Sequence, residues 1–258
     1  MPKKLQNKLN LLLLLILVTL GVIGRTYRLN APLADWHSWR QVDTASVARE
    51  YVKNGIDLSR PTYHDLSSIP SGLDNPNGYR FVEFPLISAL HAKLATNFPQ
   101  LGIVEWGRVL SIVSSSLSII VIYLIMNLVT TPLAALVAAG VFATLPYNLF
   151  YGRVVLPEPH LVFFSLVALH QFLKYWNTGK LGYWITFTVF LTLAVLMKPT
   201  ALIILIPMGL FALISGTLTI GKSSLSLVAF IISLLPYLAW RRYIAAFPAG
   251  IPANAWLF

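Results

Sequence analysis

Two long apolar stretches limit what this chain can fold into: LNLLLLLILVTLGVI near its start and SLSLVAFIISLLPYLAW near its end. Each approaches the roughly 20 apolar residues that a helix needs to cross a bilayer. The composition agrees, because 57% of the 258 residues are apolar and only 11% are charged, whereas soluble domains average about 45–50% and about 25%. The sequence therefore predicts an all-α integral membrane protein.

Apolar runs recur along the chain and predict about seven transmembrane helices. The fifth and sixth runs are divided only by Lys198-Pro199, where proline ends or kinks a helix because it lacks an N–H. The first run follows three lysines, as in a signal peptide, but no small-residue cleavage site follows it, so we expect a retained span. The predicted spans are about 9–24, 109–129, 132–150, 161–173, 183–197, 200–214 and 224–240.

Residues 25–105 are polar and form a predicted loop within a single domain of residues 1–258. Two amphipathic segments in it, 44–54 and 84–98, predict helices lying along the membrane interface. Asp43 directly precedes the first segment and is a favourable N-cap type. The chain's last residues, 245–258, are expected on the same side of the membrane as this loop.

The charges of the loops predict the orientation. With the N-terminus in the cytoplasm, the short inner loops carry lysines and no acid, as the positive-inside rule requires. The long loop is then extracytoplasmic, in what we expect to be a bacterial inner membrane. The outer side receives every acid and every arginine: Asp35, Asp43, Glu50, Asp57, Asp65, Asp74, Glu83, Glu105 and Glu158, with Arg25, Arg28, Arg40, Arg49, Arg60, Arg80, Arg108, Arg153, Arg241 and Arg242.

Several classes of protein are disfavoured. The chain has no cysteine, so it has no disulfide framework or thiolate site. P-loop, GxGxxG, GxSxG and HExxH motifs are absent. The net charge of +10 fits anionic lipid or phosphate partners rather than nucleic acid. No charge lies near the middle of a predicted span, which argues against an ion-coupled transporter. The histidines and acids lack the close spacing of a metal site, so we expect no metal or other cofactor.

Four stretches, placed in order against the spans, carry a family resemblance: 37–55 (HSWRQVDTA, then ARE and a glycine), 81–86 (FVEFPL), 107–111 (GRVLS) and 151–158 (YGRVVLPE). They resemble the integral-membrane glycosyltransferases of the GT-C superfold, specifically the glycosyltransferase 39-like family of protein O-mannosyltransferases and the bacterial enzyme that adds aminoarabinose to lipid A. The chain departs from the family pattern at Thr44, usually Glu, and at Phe84, usually Lys. Members are commonly longer, so the chain is expected to correspond to their N-terminal portion.

The resemblance implies transfer of a sugar from a polyprenyl-phosphate donor to a lipid, glycan or protein acceptor. A carboxylate would take the acceptor proton. Asp43 is the leading candidate, with helix capping as its alternative role, and Asp35 is its rival. Glu158, the only acid after residue 105, is a further catalytic candidate, with a structural ion pair to Arg153 as its alternative.

The donor phosphate would need cations, for which arginine's planar fork of donors is suited. The candidates for this role are Arg40, Arg153, Lys198, Arg80 and Arg108, with solvated or snorkelling side chains at span ends as the alternative. Glu83, His37 and Trp39 are candidates for contact with sugar or acceptor, although tryptophans also populate the interfacial belt.

Two other functions stay open from the sequence. A transporter or flippase of lipid-linked sugars would place polar residues deep in its spans. A non-catalytic membrane subunit would tolerate the loss of Asp43 and Glu158.

Overall fold

The computed structural model describes residues 3–253, and every regular element in that range is helical. The residues on either side, including 254–258 of the predicted outer C-terminal segment, lie outside the described part. Two short 3₁₀ helices span Pro199–Ile204 and Pro248–Gly250. The α-helices are α1 (Lys3–Thr26), α2 (Ser38–Asn54), α3 (Leu86–Asn97), α4 (Ile103–Val129), α5 (Pro132–Thr144), α6 (Pro146–Tyr151), α7 (Glu158–Thr178), α8 (Leu181–Met197), α9 (Leu205–Ile214) and α10 (Ile220–Ile244).

Three of these helices are long and apolar enough to cross a membrane: Leu5–Thr26, Ile103–Val129 and Ile220–Ile244. They confirm the prediction of an all-helical integral membrane protein. The segments Pro132–Thr144, Leu181–Met197 and Pro199–Ile214 are also apolar but shorter. The count of seven spans therefore stays a prediction.

The helices pack as a bundle in which α4 contacts α1, α5 and α7, and α8 lies between α7 and α10. The largest buried apolar cluster joins α7 and α8, where the Phe172 and Phe187 rings meet edge to face with centroids 5.5 Å apart. The polar loop packs on the bundle rather than standing apart from it. The Phe81 amide donates to the Gly250 carbonyl (2.8 Å), and the Phe84 amide donates to the Leu196 carbonyl (3.1 Å). The loop is thus held near the C-terminal ends of α8 and α10.

The first loop helix begins earlier than its amphipathic pattern predicts. It starts at Ser38 rather than at residue 44, because the His37 carbonyl accepts the amides of Arg40 and Gln41 at 3.1 Å each. His37 adopts a left-handed backbone with φ of 60°, a conformation uncommon for a residue other than glycine. Asp43 consequently lies in the second turn, so its predicted role as the N-cap is wrong. The helix predicted over 84–98 is found as α3.

The predicted span 132–150 is divided, since Pro146 begins a separate helix, α6. The chain then runs irregularly and buried through residues 152–156 before α7 starts. Backbone polar groups buried in this way need partners, and α4 supplies them. Ser111 donates to the Val154 carbonyl at 2.6 Å, and Ser115 donates to the Gly152 carbonyl at 2.8 Å. The serines of α4 therefore stabilise the segment that leads into Glu158.

Candidate active site

A cavity of about 490 Å³ opens between α2, α4, the α5–α6 break and α7. Five of the residues singled out from the sequence line it, although they lie as far apart in the chain as residues 37 and 198: His37, Trp39, Arg40, Glu158 and Lys198. The rest of the wall is largely apolar or aromatic and consists of Ser115, Ser118, Phe142, Tyr147, Asn148, Tyr151, Gly152, Leu156, Pro159 and Val162. The cavity therefore combines a charged end with an apolar wall.

Lys198 and Glu158 form an ion pair in this cavity. Lys198 lies at the break where α8 ends, since Pro199 cannot continue the helix. Glu158 begins α7, where the positive end of the helix dipole stabilises a carboxylate. Its Oε1 accepts from Lys198, whereas its buried Oε2 has no hydrogen-bond partner among residues 3–253. The alternative pairing of Glu158 with Arg153 does not form.

Arg40 lines the cavity and bonds the Glu83 carboxylate, with Nη2 and Oε2 2.6 Å apart. Burial by itself would raise the pKa of Glu83, but the Arg40 guanidinium, together with the positive charge of Arg80, holds that pKa below its ordinary value. Arg40 also lines a second, much smaller pocket of about 10 Å³ with Asp43, Arg80 and Glu83. One guanidinium is thus shared by the main cavity and the small pocket.

Asp43 lies on the small-pocket side of Arg40 and is not part of the main cavity wall. Its Oδ2 is 2.9 Å from an Arg80 nitrogen. Burial raises the pKa of the Asp43 carboxyl, and the positive charges of Arg80 and Arg40 oppose that rise without cancelling it. The Arg80 guanidinium stacks over the Tyr63 ring, 5.0 Å from its centroid. Asp43 is therefore fixed in place and holds its proton more tightly than an exposed carboxyl.

Asp35, Arg153 and Arg108 are brought near the site but not into the cavity wall. Asp35 lies 3.6 Å from Arg153, which also donates to the Tyr27 carbonyl at 2.7 Å. Arg108 is almost fully buried and donates to the backbone carbonyls of residues 28, 29 and 31 at 2.9, 2.7 and 2.6 Å. Its guanidinium therefore holds the turn that follows α1 against α4.

Sequence reasoning did not identify the tyrosine and serine side chains of the cavity. Tyr147 and Tyr151 lie on one side of α6 with ring centroids 4.4 Å apart. Ser115 and Ser118 reach the wall from α4. The spacing of the serines could have indicated this face, since serines at 111, 115 and 118 repeat at helical intervals in an apolar span. Within residues 3–253, no three His, Asp or Glu side chains cluster closely enough to hold a metal ion.

The family profile described as dolichyl-phosphate-mannose-protein mannosyltransferase matches residues 84–240. Among solved structures, the chain is similar to the archaeal oligosaccharyltransferase AglB from Archaeoglobus fulgidus, determined with an inhibitory peptide and a dolichol-phosphate. That similarity has a TM-score of 0.66 at 19% identity and covers 91% of this chain but 29% of the other. The chain thus spans under a third of that enzyme's length and shares its GT-C fold. No curated protein sequence matches the chain.

Proposed function

This chain belongs to the dolichyl-phosphate-mannose-protein mannosyltransferase family, and on that premise we propose that it transfers a sugar from a polyprenyl phosphate to a lipid, glycan or protein acceptor. The observation that carries the proposal is the cavity in which an apolar wall meets Arg40, Lys198 and Glu158. A polyprenyl-phosphate sugar requires this combination, because its isoprenoid prefers apolar surface and its phosphate prefers cations.

Arg40 and Lys198 hold the donor phosphate in this proposal. During transfer, the bond from the sugar's anomeric carbon to the phosphate oxygen breaks, and its electron pair stays on the phosphate. The polyprenyl phosphate therefore leaves with one more negative charge than it had in the donor. Cations already positioned where that charge develops stabilise the transition state more than the ground state.

Asp43 is the proposed base. The acceptor hydroxyl oxygen forms the new bond to the anomeric carbon, and Asp43, on the small-pocket side of Arg40, takes the hydroxyl proton. The raised pKa of Asp43 suits this task, since a base binds its proton better as its pKa approaches the working pH. Arg80 holds the carboxylate in position.

Glu158 contacts the sugar in the proposed site. Its Oε1 orients the Lys198 ammonium, and its Oε2, which lacks a partner among the described residues, accepts from a sugar hydroxyl. His37, Trp39 and the Tyr147–Tyr151 pair offer ring faces to the sugar and the first isoprene units. Glu83 contributes indirectly by holding Arg40, with Arg153 and Arg108 supporting the surrounding backbone.

We propose further that this end of the bundle is extracytoplasmic and that residues 25–105 are the outer part of one domain. The lysines at 174, 180 and 222 lie at the opposite helix ends, which supports that orientation through the positive-inside rule.

The proposal is tested with protein reconstituted in vesicles, using polyprenyl-phosphate mannose as the first donor and a membrane extract as the acceptor source. Asp43→Asn and Glu158→Gln should each lower sugar transfer at least about 100-fold, the scale on which single general bases and charge-stabilising groups act. Asp57→Asn, in an exposed turn, is the matched control. Full activity in both site variants would refute the assignment. Donor movement between leaflets without transfer would favour a flippase.

A further inference from the structure

Gln41 is fully buried next to Arg40 and joins three parts of the chain. Its Nε2 donates to Asp35 Oδ1 at 2.7 Å and to the Trp36 carbonyl at 3.0 Å. Its Oε1 accepts the amide of Val155 at 3.2 Å, across 114 positions of sequence. Every polar atom of this side chain therefore contacts a segment outside its own helix.

The Val155 contact falls on the segment that leads into Glu158. Residues 152–156 have no regular structure and are buried, so their position depends on side chains that satisfy the backbone. Ser111 and Ser115 of α4 bond the carbonyls at 154 and 152. Gln41 provides the corresponding bond from α2, the helix that carries Arg40 and Asp43.

Asp35 closes these contacts into a ring. One carboxylate oxygen accepts from Gln41, and the other lies 3.6 Å from Arg153, which belongs to the same irregular segment as Val155. Arg153 and Val155 are thus tied to α2 through Asp35 and Gln41. None of Asp35, Gln41 and Arg153 is part of the main cavity wall. We refer to these three side chains as the α2–α7 clasp.

We propose that the α2–α7 clasp is a positioning device that fixes Arg40 and Asp43 relative to Glu158, and that Asp35 and Arg153 act within it rather than on the substrate. This inference rests on the proposed function for its catalytic consequence. Asp43 and Glu158 lie on separate elements with Arg40 between them, so their relative placement depends on what joins those elements. A displacement of about 1 Å at a reacting centre can lower a rate about 100-fold.

The structural part of the proposal is tested without any activity assay. The chain contains no cysteine, so spin labels can be attached to cysteines introduced at Val52 on α2 and at Thr178, the last residue of α7, both exposed. Gln41→Met, which keeps the volume but removes the hydrogen bonds, should broaden or shift the measured distance distribution. Gln171→Met is the matched control and should leave the distribution unchanged, because Gln171 lies in α7 and its side chain contacts the neighbouring His170 rather than α2. An unchanged distribution in Gln41→Met overturns the clasp.

The catalytic part is tested by exchanging the hydrogen-bond donor, Gln41, and the hydrogen-bond acceptor, Asp35. Gln41→Glu places a second carboxylate against Asp35, so transfer should fall about 100-fold or more. Adding Asp35→Asn gives one Glu oxygen a donor, leaves the other oxygen for the Val155 amide and conserves net charge, whereas the Trp36 carbonyl stays without the donor it had in Gln41. Transfer should therefore recover in part, to at least about tenfold above Gln41→Glu. A catalytic base at position 35 should not be rescued in this way, because asparagine cannot take the proton and the carboxylate at residue 41 is fully buried outside the main cavity wall.

Failure of the positioning role can be distinguished from failure of the proposed function. If the unsubstituted protein is active but Gln41→Glu with Asp35→Asn transfers no more sugar than Gln41→Glu alone, the positioning role is overturned. A parent that transfers no sugar from polyprenyl-phosphate donors refutes the proposed function, and the spin-label distances then decide the clasp alone.

Discussion

Substitution of Lys198 tests the proposed phosphate site most directly, because substitution of its partner Glu158 should change the affinity for phosphate in the opposite direction. The Lys198 ammonium lies in the cavity beside the Glu158 carboxylate. Lys198→Met keeps the stem that packs at the end of α8 and removes the charge. A hydrogen bond to a charged group contributes about 1.5–3 kcal/mol, and about 1.4 kcal/mol corresponds to tenfold in affinity. The affinity for a polyprenyl phosphate should therefore fall about 10- to 100-fold.

Glu158→Gln should act in the other direction on the same measurement. It removes a negative charge near the bound phosphate and frees the Lys198 ammonium from its carboxylate. Polyprenyl phosphate should therefore bind as tightly as in the parent or more tightly, while sugar transfer falls because the sugar loses its acceptor at Oε2. Glu158→Gln should therefore lower the rate of transfer without lowering the affinity for the leaving group, as expected for a group that acts in the transition state.

The assay is titration of a short-chain polyprenyl phosphate into detergent-solubilised protein, with the corresponding prenyl alcohol as the uncharged control. The alcohol occupies the same apolar wall and should bind equally to the parent, Lys198→Met and Glu158→Gln. Lys198→Arg should retain most of the affinity for phosphate. Equal loss of alcohol and phosphate binding in Lys198→Met would indicate a disrupted fold. Unchanged phosphate binding would refute the assignment of Lys198.

Three further predictions address the base, the buried arginine and the orientation. The rate of sugar transfer should rise with pH through the Asp43 pKa, because only the ionised carboxylate can take a proton. Burial holds that pKa above the ordinary value for a carboxyl. A pH–rate profile of Asp43→Asn that keeps the same rising limb would contradict this. Arg108→Met should lower the melting temperature, because the carbonyls of residues 28, 29 and 31 lose the buried guanidinium that donates to them and a hydrogen bond to a charged group contributes about 1.5–3 kcal/mol. The affinity of the folded fraction for prenyl alcohol should be unchanged. A cysteine in place of exposed Ser68 should react with a membrane-impermeant thiol reagent in intact cells, and one in place of Thr178 should react only after lysis; the reverse pattern would invert the proposed orientation.

The helical membrane architecture and the family were within reach of the sequence. Apolar runs predict membrane helices because hydrocarbon requires every backbone polar group to be satisfied within its own helix. That constraint is local, so it can be recognised from neighbouring residues. The four short motifs are also local, and the family match over 84–240 includes three of them in full or in part.

The boundaries of the loop helices were less predictable. The pattern of residues 44–54 resembles an isolated amphipathic helix, but α2 begins six residues earlier, at Ser38, where Gln41 bonds the segment at 152–156. Gln41 and Arg40 are buried there despite being polar, which no hydrophobic period reveals. Asp43 consequently lies inside the helix rather than at its cap.

The sequence by itself determined that this chain is a helical membrane protein whose acids and arginines avoid the apolar spans. Tertiary structure alone decided how those charges are paired. Glu158 bonds Lys198, 40 residues away, rather than Arg153 nearby; Arg153 bonds Asp35; and Arg40 bonds Glu83. The physical reason is that ionic contacts act over a few ångströms, whereas helix packing brings together residues far apart in sequence, and several partners of equal charge compete at the same end of the bundle.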